Sequence, residues 1–217
     1  MERVCIFIDS GNFYHLVLKK LDIQELDFNF DRFANFLAGE REIIKEGKRF
    51  YVGTVRERKN RHENKKAISN QTTLFTNLFK LNWVIKTSKL RTRIERVVVD
   101  DRVIDYQKLL DLGIKEIKYE RSREKGIDVK LATDLIIGAM DDKYDSAILV
   151  SSDTDLVPAI DLVRHRFKKK VEYIGFSILG NENYEPTRPI KRMIYSTDIQ
   201  RVLVREDIEP FIIKKLF

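Results

Sequence analysis

The chain has 217 residues, 43% hydrophobic and 35% charged, enough to bury one continuous α/β core without cross-links. No run approaches the roughly eighteen apolar residues that a membrane-spanning helix needs, and a single cysteine excludes a disulfide framework. The net charge of +7 suits a polyanionic partner such as nucleic acid, with basic residues concentrated in VRERKNRHENKK (55–66) and KLRTRIER (89–96).

Val4–Ile8 is a short unbroken apolar run, the pattern of a strand covered on both faces. The opening MERVCIFIDSG is too short and too acidic for a signal peptide, because Asp9 interrupts the apolar run. Cys5, inside that strand, makes a reducing cytoplasm the default location. In DSGNFYHLVLKKL the period changes, and Phe13, Leu16, Val17 and Leu21 fall on one helical face. DFNFDRFANFLAG reads as a second helix with Asp31 as N-cap and Gly39 near its end, and KRFYVGTV as a second strand. A helix over 65–80 would bury Ile68, Phe75, Leu78 and Phe79, and NWVIKTS would form a third strand. In TRIERVVVDDRVIDY two β-rich runs flank Asp100-Asp101, which predicts a hairpin there; KEIKYERS is a further strand-like piece before a helix beginning at GIDVKLATDLIIGAM. Then come a strand at Ala147–Ser151, a helix at Pro158–Phe167, a strand at Val171–Phe176, a Gly/Asn/Pro loop, a short helix around Ile190–Tyr195 and an apolar tail. Alternation of strands and helices argues a mainly parallel sheet with helices on both faces. The expected division is one domain over 1–180, with an insertion around 89–118, and an extension, 181–217, packing on it.

If the first strand and Ala147–Ser151 are parallel neighbours, Asp9 and Asp153 leave at the carboxyl edge of the sheet, where open α/β sheets bind ligands. Asp155 shares the turn with Asp153, and Asp128 opens the helix after Gly126. Clustered carboxylates repel unless cations balance them. Oxygen ligands select Mg²⁺ or Mn²⁺, while three His and one Cys supply a zinc site poorly. Such an ion would polarise a phosphate and lower the pKa of a bound water. An Asp after a strand is also the ordinary N-cap of the next helix, and one residue can cap and ligate at once. The cations Arg56, Arg58, Lys59, Arg61, Lys65 and Lys66 leave the same edge if the second strand is parallel, and form either an RNA-contacting loop or an ordinary solvated face; Lys125, just before Gly126, is placed to reach phosphate. Lys168–Lys170 precede a strand and belong to the opposite edge. Phe50, Tyr51 and Trp83 could stack bases, but aromatics in strand-like runs are more often core.

Taken together, FIDSGNFYH, KGIDVKLATDL and SSDTDLVPAI resemble, in order and spacing, the signature stretches of NYN-domain proteins, a branch of the PIN-like nuclease superfamily. The resemblance runs from Met1 to about Gly180. It implies a three-layer α/β/α sandwich with a mainly parallel central sheet, and metal-dependent RNA cleavage leaving 5′-phosphate and 3′-hydroxyl ends. By position, Asp9, Asp128, Asp153 and Asp155 correspond to the acidic metal-site residues, and Asn12 to the polar residue that bonds phosphate or water. Asp134 matches a recurrent family acid, but six positions after Asp128 is about 240° around a helix, so the two cannot share a face. It is read as supporting the site or as structural; Asp198 as structural; Ser151 and Ser152 as supporting the acids. Ser152 stands where the family has a small Gly, and the segment 89–118 is longer than a minimal domain needs. That insertion could cover the site, contact a protein partner or second copy, or set substrate choice. The rival to hydrolysis is a non-catalytic RNA-binding or regulatory module with a vestigial metal site. An aspartyl-phosphate phosphatase built on Asp153 and Asp155 fits less well, since that motif normally opens its domain.

Overall fold

In the first strand, β1 (Arg3–Asp9), Val4, Ile6 and Ile8 face one layer of helices while Cys5 and Phe7 face the other. The computed structural model describes residues 1–54, 63–89, 91–123, 126–180 and 182–213. Around β1 the strands β2 (Glu42–Thr54), β3 (Val84–Lys89), β6 (Ser146–Val150), β7 (Lys170–Phe176) and β8 (Ile199–Leu203) form one sheet in the order β3-β2-β1-β6-β7-β8. Every pairing in it is parallel. The order reverses between β1 and β6, so their carboxyl ends border an open crevice. Among the described residues no helix is long and apolar enough to cross a membrane.

On one face lie α1 (Ser10–Phe13), α2 (Phe30–Ala38), α3 (Glu63–Lys80) and the C-terminal turn α8 (Arg205–Ile208). Their core is aromatic: Phe13 packs against Phe33 and Phe176 with ring centroids 5.5 and 5.4 Å apart. Because Phe13 follows Asp9 by one helical turn, this packing also fixes the backbone that carries the acid. On the other face α5 (Ile127–Met140), α6 (Val157–His165) and α7 (Lys191–Ser196) cover Phe7, Tyr51, Leu149 and Tyr173. Phe50, Tyr51 and Trp83 are all buried, so they serve the core and not base stacking. The Cys5 thiol, sealed in this layer, is pushed up to about 12 by burial and stays protonated.

Several elements differ from the sequence expectation for definable reasons. The first helix changes to a π turn over Tyr14–Leu18, which rotates Leu18 into the core in place of Leu16. Asn29, not Asp31, caps α2, accepting from Arg32 N at 3.0 Å; Asp31 instead accepts from Lys48 and from Trp83 Nε1. Strand β2 begins six residues earlier than Lys48, because its pairing with β1 shifts between Val4 and Ile6. Gly47 sits at that irregularity, where a Cβ would lie 2.7 Å from the Ile44 carbonyl oxygen. Leu74 and Leu78 carry the buried stripe of α3, and Phe79 is 75% exposed. The hairpin does not turn at Asp100-Asp101. Strand β4 (Arg91–Val98) pairs antiparallel with β5 (Glu116–Arg123), and between them the chain makes a turn and α4 (Tyr106–Asp111). Asp100 accepts from Arg102 N and from its guanidinium, which commits the chain to that excursion. The apolar tail contributes the sixth strand, β8, and buries Phe211.

Acids at the amino edge of the sheet are neutralised by arginines. Glu172 on β7, 1% exposed, is held by Arg41 and Arg201, and both guanidinia also donate to the Leu37 carbonyl at the end of α2. At the start of β6, Asp145 accepts from the Arg3 backbone N–H at 2.9 Å and from its guanidinium at 2.7 Å. The Arg3 guanidinium holds the Asp145 carboxyl down at about 2.

Truncation of Glu172 to Ala leaves two guanidinia beside a buried, empty position and is expected to cost about 3–5 kcal/mol in urea unfolding. For Asp145 the sign follows from its lowered value. Its contribution is complete above the ordinary carboxylate range and is lost as pH falls through about 2. Asp145→Asn is therefore expected to be less stable by roughly 0.5–1 kcal/mol at pH 7, the pair being partly exposed. Melting curves of the two proteins should converge between pH 4 and pH 2.

Candidate functional site

Asp9 is the last residue of β1 and is only 7% exposed. It caps α1, Oδ1 accepting from Asn12 N at 3.0 Å, while Oδ2 accepts from Ser151 Oγ at 3.3 Å. Ser151 Oγ in turn accepts from Asp153 N at 3.2 Å, so one hydroxyl ties the first acid to the turn after β6. The second tie is Asn12, whose Oδ1 accepts from Ser152 N at 2.9 Å. That bond fixes the amide orientation and leaves Nδ2 as its outward donor. Asp153 caps the 3₁₀ turn Thr154–Leu156 by accepting from Asp155 N at 2.9 Å. Asp9 and Asp153 are thus both capping residues, linked to each other through the Ser151 hydroxyl.

Asp128 stands in the first turn of α5, after Gly126, whose φ of +86° lets the chain enter the helix sharply. Its carboxyl is pushed up by partial burial and then by the charges of Asp153 and Asp155. Acids from two distant segments therefore repel one another across the crevice. Asp155 is exposed at its mouth. The donor set is all oxygen, the kind that hard divalent cations take, and the raised Asp128 is the imbalance a cation would relieve. Among the described residues, however, no three acids close on one point as a preformed ligand cage.

Asp134 lies elsewhere on α5. It accepts from Tyr51 Oη at 2.8 Å and pairs with Arg49 at 3.5 Å and Lys86 at 3.7 Å. Tyr51 is the β2 residue paired with Asp9, so this network lies beneath the crevice on the α5 side. Asp198 accepts from Val171 N and pairs with Arg164 at 2.9 Å, at the opposite edge. Lys65 and Lys66 are exposed at the start of α3, and Lys66 lines a groove of about 580 Å³ with Tyr14, Glu25 and Asn70. His15 is exposed, and its imidazole is pulled down by partial desolvation and by Lys19. Arg56, Arg58, Lys59, Arg61 and Lys125 lie outside the described residues.

Two supports escaped sequence reasoning. Ser152 Oγ is hydrogen-bonded to Tyr173 Oη at 2.7 Å, and the same hydroxyl accepts from Ile190 N at 3.3 Å. Ser10 donates to Glu25, whose carboxyl is pushed up by burial. Tyr173 sits inside the apolar run VEYIGF, where nothing marks a tyrosine for a polar contact. Glu25 opens a single 3₁₀ turn, Glu25–Asp27, whose sequence gives no sign of where it folds back.

The NYN domain family matches residues 3–198. The chain belongs to the NYN domain family, part of the PIN-like nuclease superfamily. A solved structure, a protein of unknown function (VPA0982) from Vibrio parahaemolyticus, is similar in fold with a TM-score of 0.56. It is 17% identical, and the alignment covers 95% of each chain. No match was found among the curated proteins. The NYN match takes in β1, α5, the turn after β6 and the whole β4–β5 ribbon.

Because Asp128 is raised in the folded protein, its ionisation opposes folding above the ordinary carboxylate range and costs nothing when it is protonated. In chelator, Asp128→Asn is expected to stabilise the NYN domain at pH 7 by a few tenths of a kcal/mol, given its exposure. The difference should vanish near pH 3. A lower melting temperature for the variant at pH 7 would contradict the repulsion.

Proposed function

We propose that the chain is a metal-dependent ribonuclease that hydrolyses RNA phosphodiester bonds at the crevice between β1 and β6. The observation that carries this reading is that Asp128 lies near enough to Asp153 and Asp155 for their charges to push its carboxyl up, while among the described residues no arginine pairs with any of the three. Asp9, Asp128 and Asp153 would hold Mg²⁺ or Mn²⁺, with Asp155 completing the site or orienting the attacking water. When bound, the ion supplies Lewis acidity and a more acidic water. Asn12 Nδ2 donates to a phosphate oxygen, its Oδ1 being occupied by Ser152 N. Ser151 and Ser152 hold the two turns in register, and the hydroxyl of Ser152 is itself held by Tyr173. Asp134 keeps Tyr51 and Arg49 in place beneath the first acid. Lys65 and Lys66, together with Arg56, Arg58, Lys59, Arg61 and Lys125, supply counter-charge for the polymer.

A second reading keeps RNA binding without hydrolysis. It is favoured by the spread of the acids, no three of which converge among the described residues. Asp153→Asn separates the two. It is expected to lower cleavage of end-labelled RNA by more than about a hundredfold with either ion, while the melting temperature is kept. Chelator should stop the wild-type protein equally. Equal rates for variant and wild type, each purified free of host nuclease, would overturn hydrolysis at this site. RNA binding with no ion-dependent cleavage would establish the second reading.

A further inference from the structure

The β4–β5 ribbon divides its charge between two faces. Residues directly opposite in the register share a face. One face carries the positions Arg91, Arg93, Arg121 and Arg123 with a single acid, Glu95, a net of plus three. The other carries Arg96 and Lys118 against Glu116 and Glu120, a net of zero. On the neutral face Arg96 and Lys118 both reach Glu116. On the basic face the register sets Arg93 opposite Arg121, and positions 91 and 123, both arginine in the sequence, opposite each other. Glu95 is shared there between Tyr119 Oη at 2.9 Å and Arg121 Nη1 at 3.3 Å.

The placement of these arginines is as informative as their number. β3 ends at Lys89 and β4 begins at Arg91, while β5 ends at Arg123, five residues before Asp128. The ribbon therefore leaves and rejoins the domain at the carboxyl edge of the sheet, with its arginines at the root and α4 at the tip. Lys130 of α5 donates to the Thr87 carbonyl of β3, which keeps the ribbon root beside the turn that carries Asp128.

We propose that the basic face of the β4–β5 ribbon is a track for the phosphate backbone of single-stranded RNA, leading it to the acidic crevice. The inference rests on the reading of that crevice as an RNA site. With one acid, Glu95, set among four arginine positions, this face carries an excess of positive charge that the phosphates of a bound strand would balance. The other face lacks that imbalance.

The test is anisotropy of a labelled single-stranded RNA of about 20 nucleotides across a salt series, in chelator so that no cleavage intervenes. For single strands each phosphate contact contributes about 0.7 to the slope of log affinity against log salt. Arg93→Ala/Arg121→Ala is expected to flatten the slope by about 1.4 and to weaken binding about tenfold or more at low salt. Arg96→Ala/Lys118→Ala removes the same formal charge from the other face and is expected to change both far less. Equal losses from the two pairs, or none from the first, would overturn the track; so would wild-type protein that binds poly-glutamate more tightly than RNA, which would point to a protein partner. Cleavage with Mn²⁺ is measured separately. Normal cleavage with unchanged binding in Arg93→Ala/Arg121→Ala sinks the track alone, whereas lost binding beside an inert wild type sinks hydrolysis alone.

Discussion

Five paired positions, Val4–Ile8 against Ser146–Val150, govern the arrangement of everything else. Parallel hydrogen bonding forces both strands to end at the same height, so Asp9 and the Ser151–Asp153 turn emerge side by side. Sheet order then reverses outward from this pair. The starts of α5 and α6 point into the same region, and their partial positive ends offset some of the negative charge gathered there. Apolar burial on both faces of β1 and β6 fixes this register: a slip of one residue would turn Phe7 and Leu149 toward the wrong layer.

The acids divide by what faces them. Glu172, Asp145 and Asp198 lie toward the amino edge, each held by an arginine. Asp134, on the α5 side of the sheet, likewise meets Arg49 and Lys86. At the carboxyl edge, among the described residues, the charges that act on Asp128 are those of Asp153 and Asp155. Compensated acids hold elements together; a set that repels is a cost the fold carries for another purpose. The ribbon shows the reverse asymmetry in arginines, a few residues along the chain from the same edge.

Hydroxyl and amide groups translate the strand register into a site. Ser151 and Asn12 each bridge the β1 turn and the β6 turn, so the two acids cannot drift apart without breaking both bonds. Ser152 is accommodated in this turn because its hydroxyl finds Tyr173. A polar side chain in a tight turn is tolerated when a partner waits for it.

The sequence by itself determined the layers and most elements of the sheet, because apolar runs of strand length and helical stripes report burial directly. It also marked Asp9, Asp128 and Asp153 as strand-to-helix acids, since chain position at a junction needs no long-range information. It did not reveal β8, whose apolar and polar residues mix at an edge, nor the π turn after Phe13. It paired β4 across the wrong turn, because Asp100-Asp101 looks like a hairpin until Asp100 is seen bonded to Arg102. Only the tertiary structure decided which acids meet arginines and which meet each other. That outcome depends on contacts between segments more than a hundred residues apart, such as Arg3 with Asp145 and Asp9 with Ser151, and no local pattern encodes them.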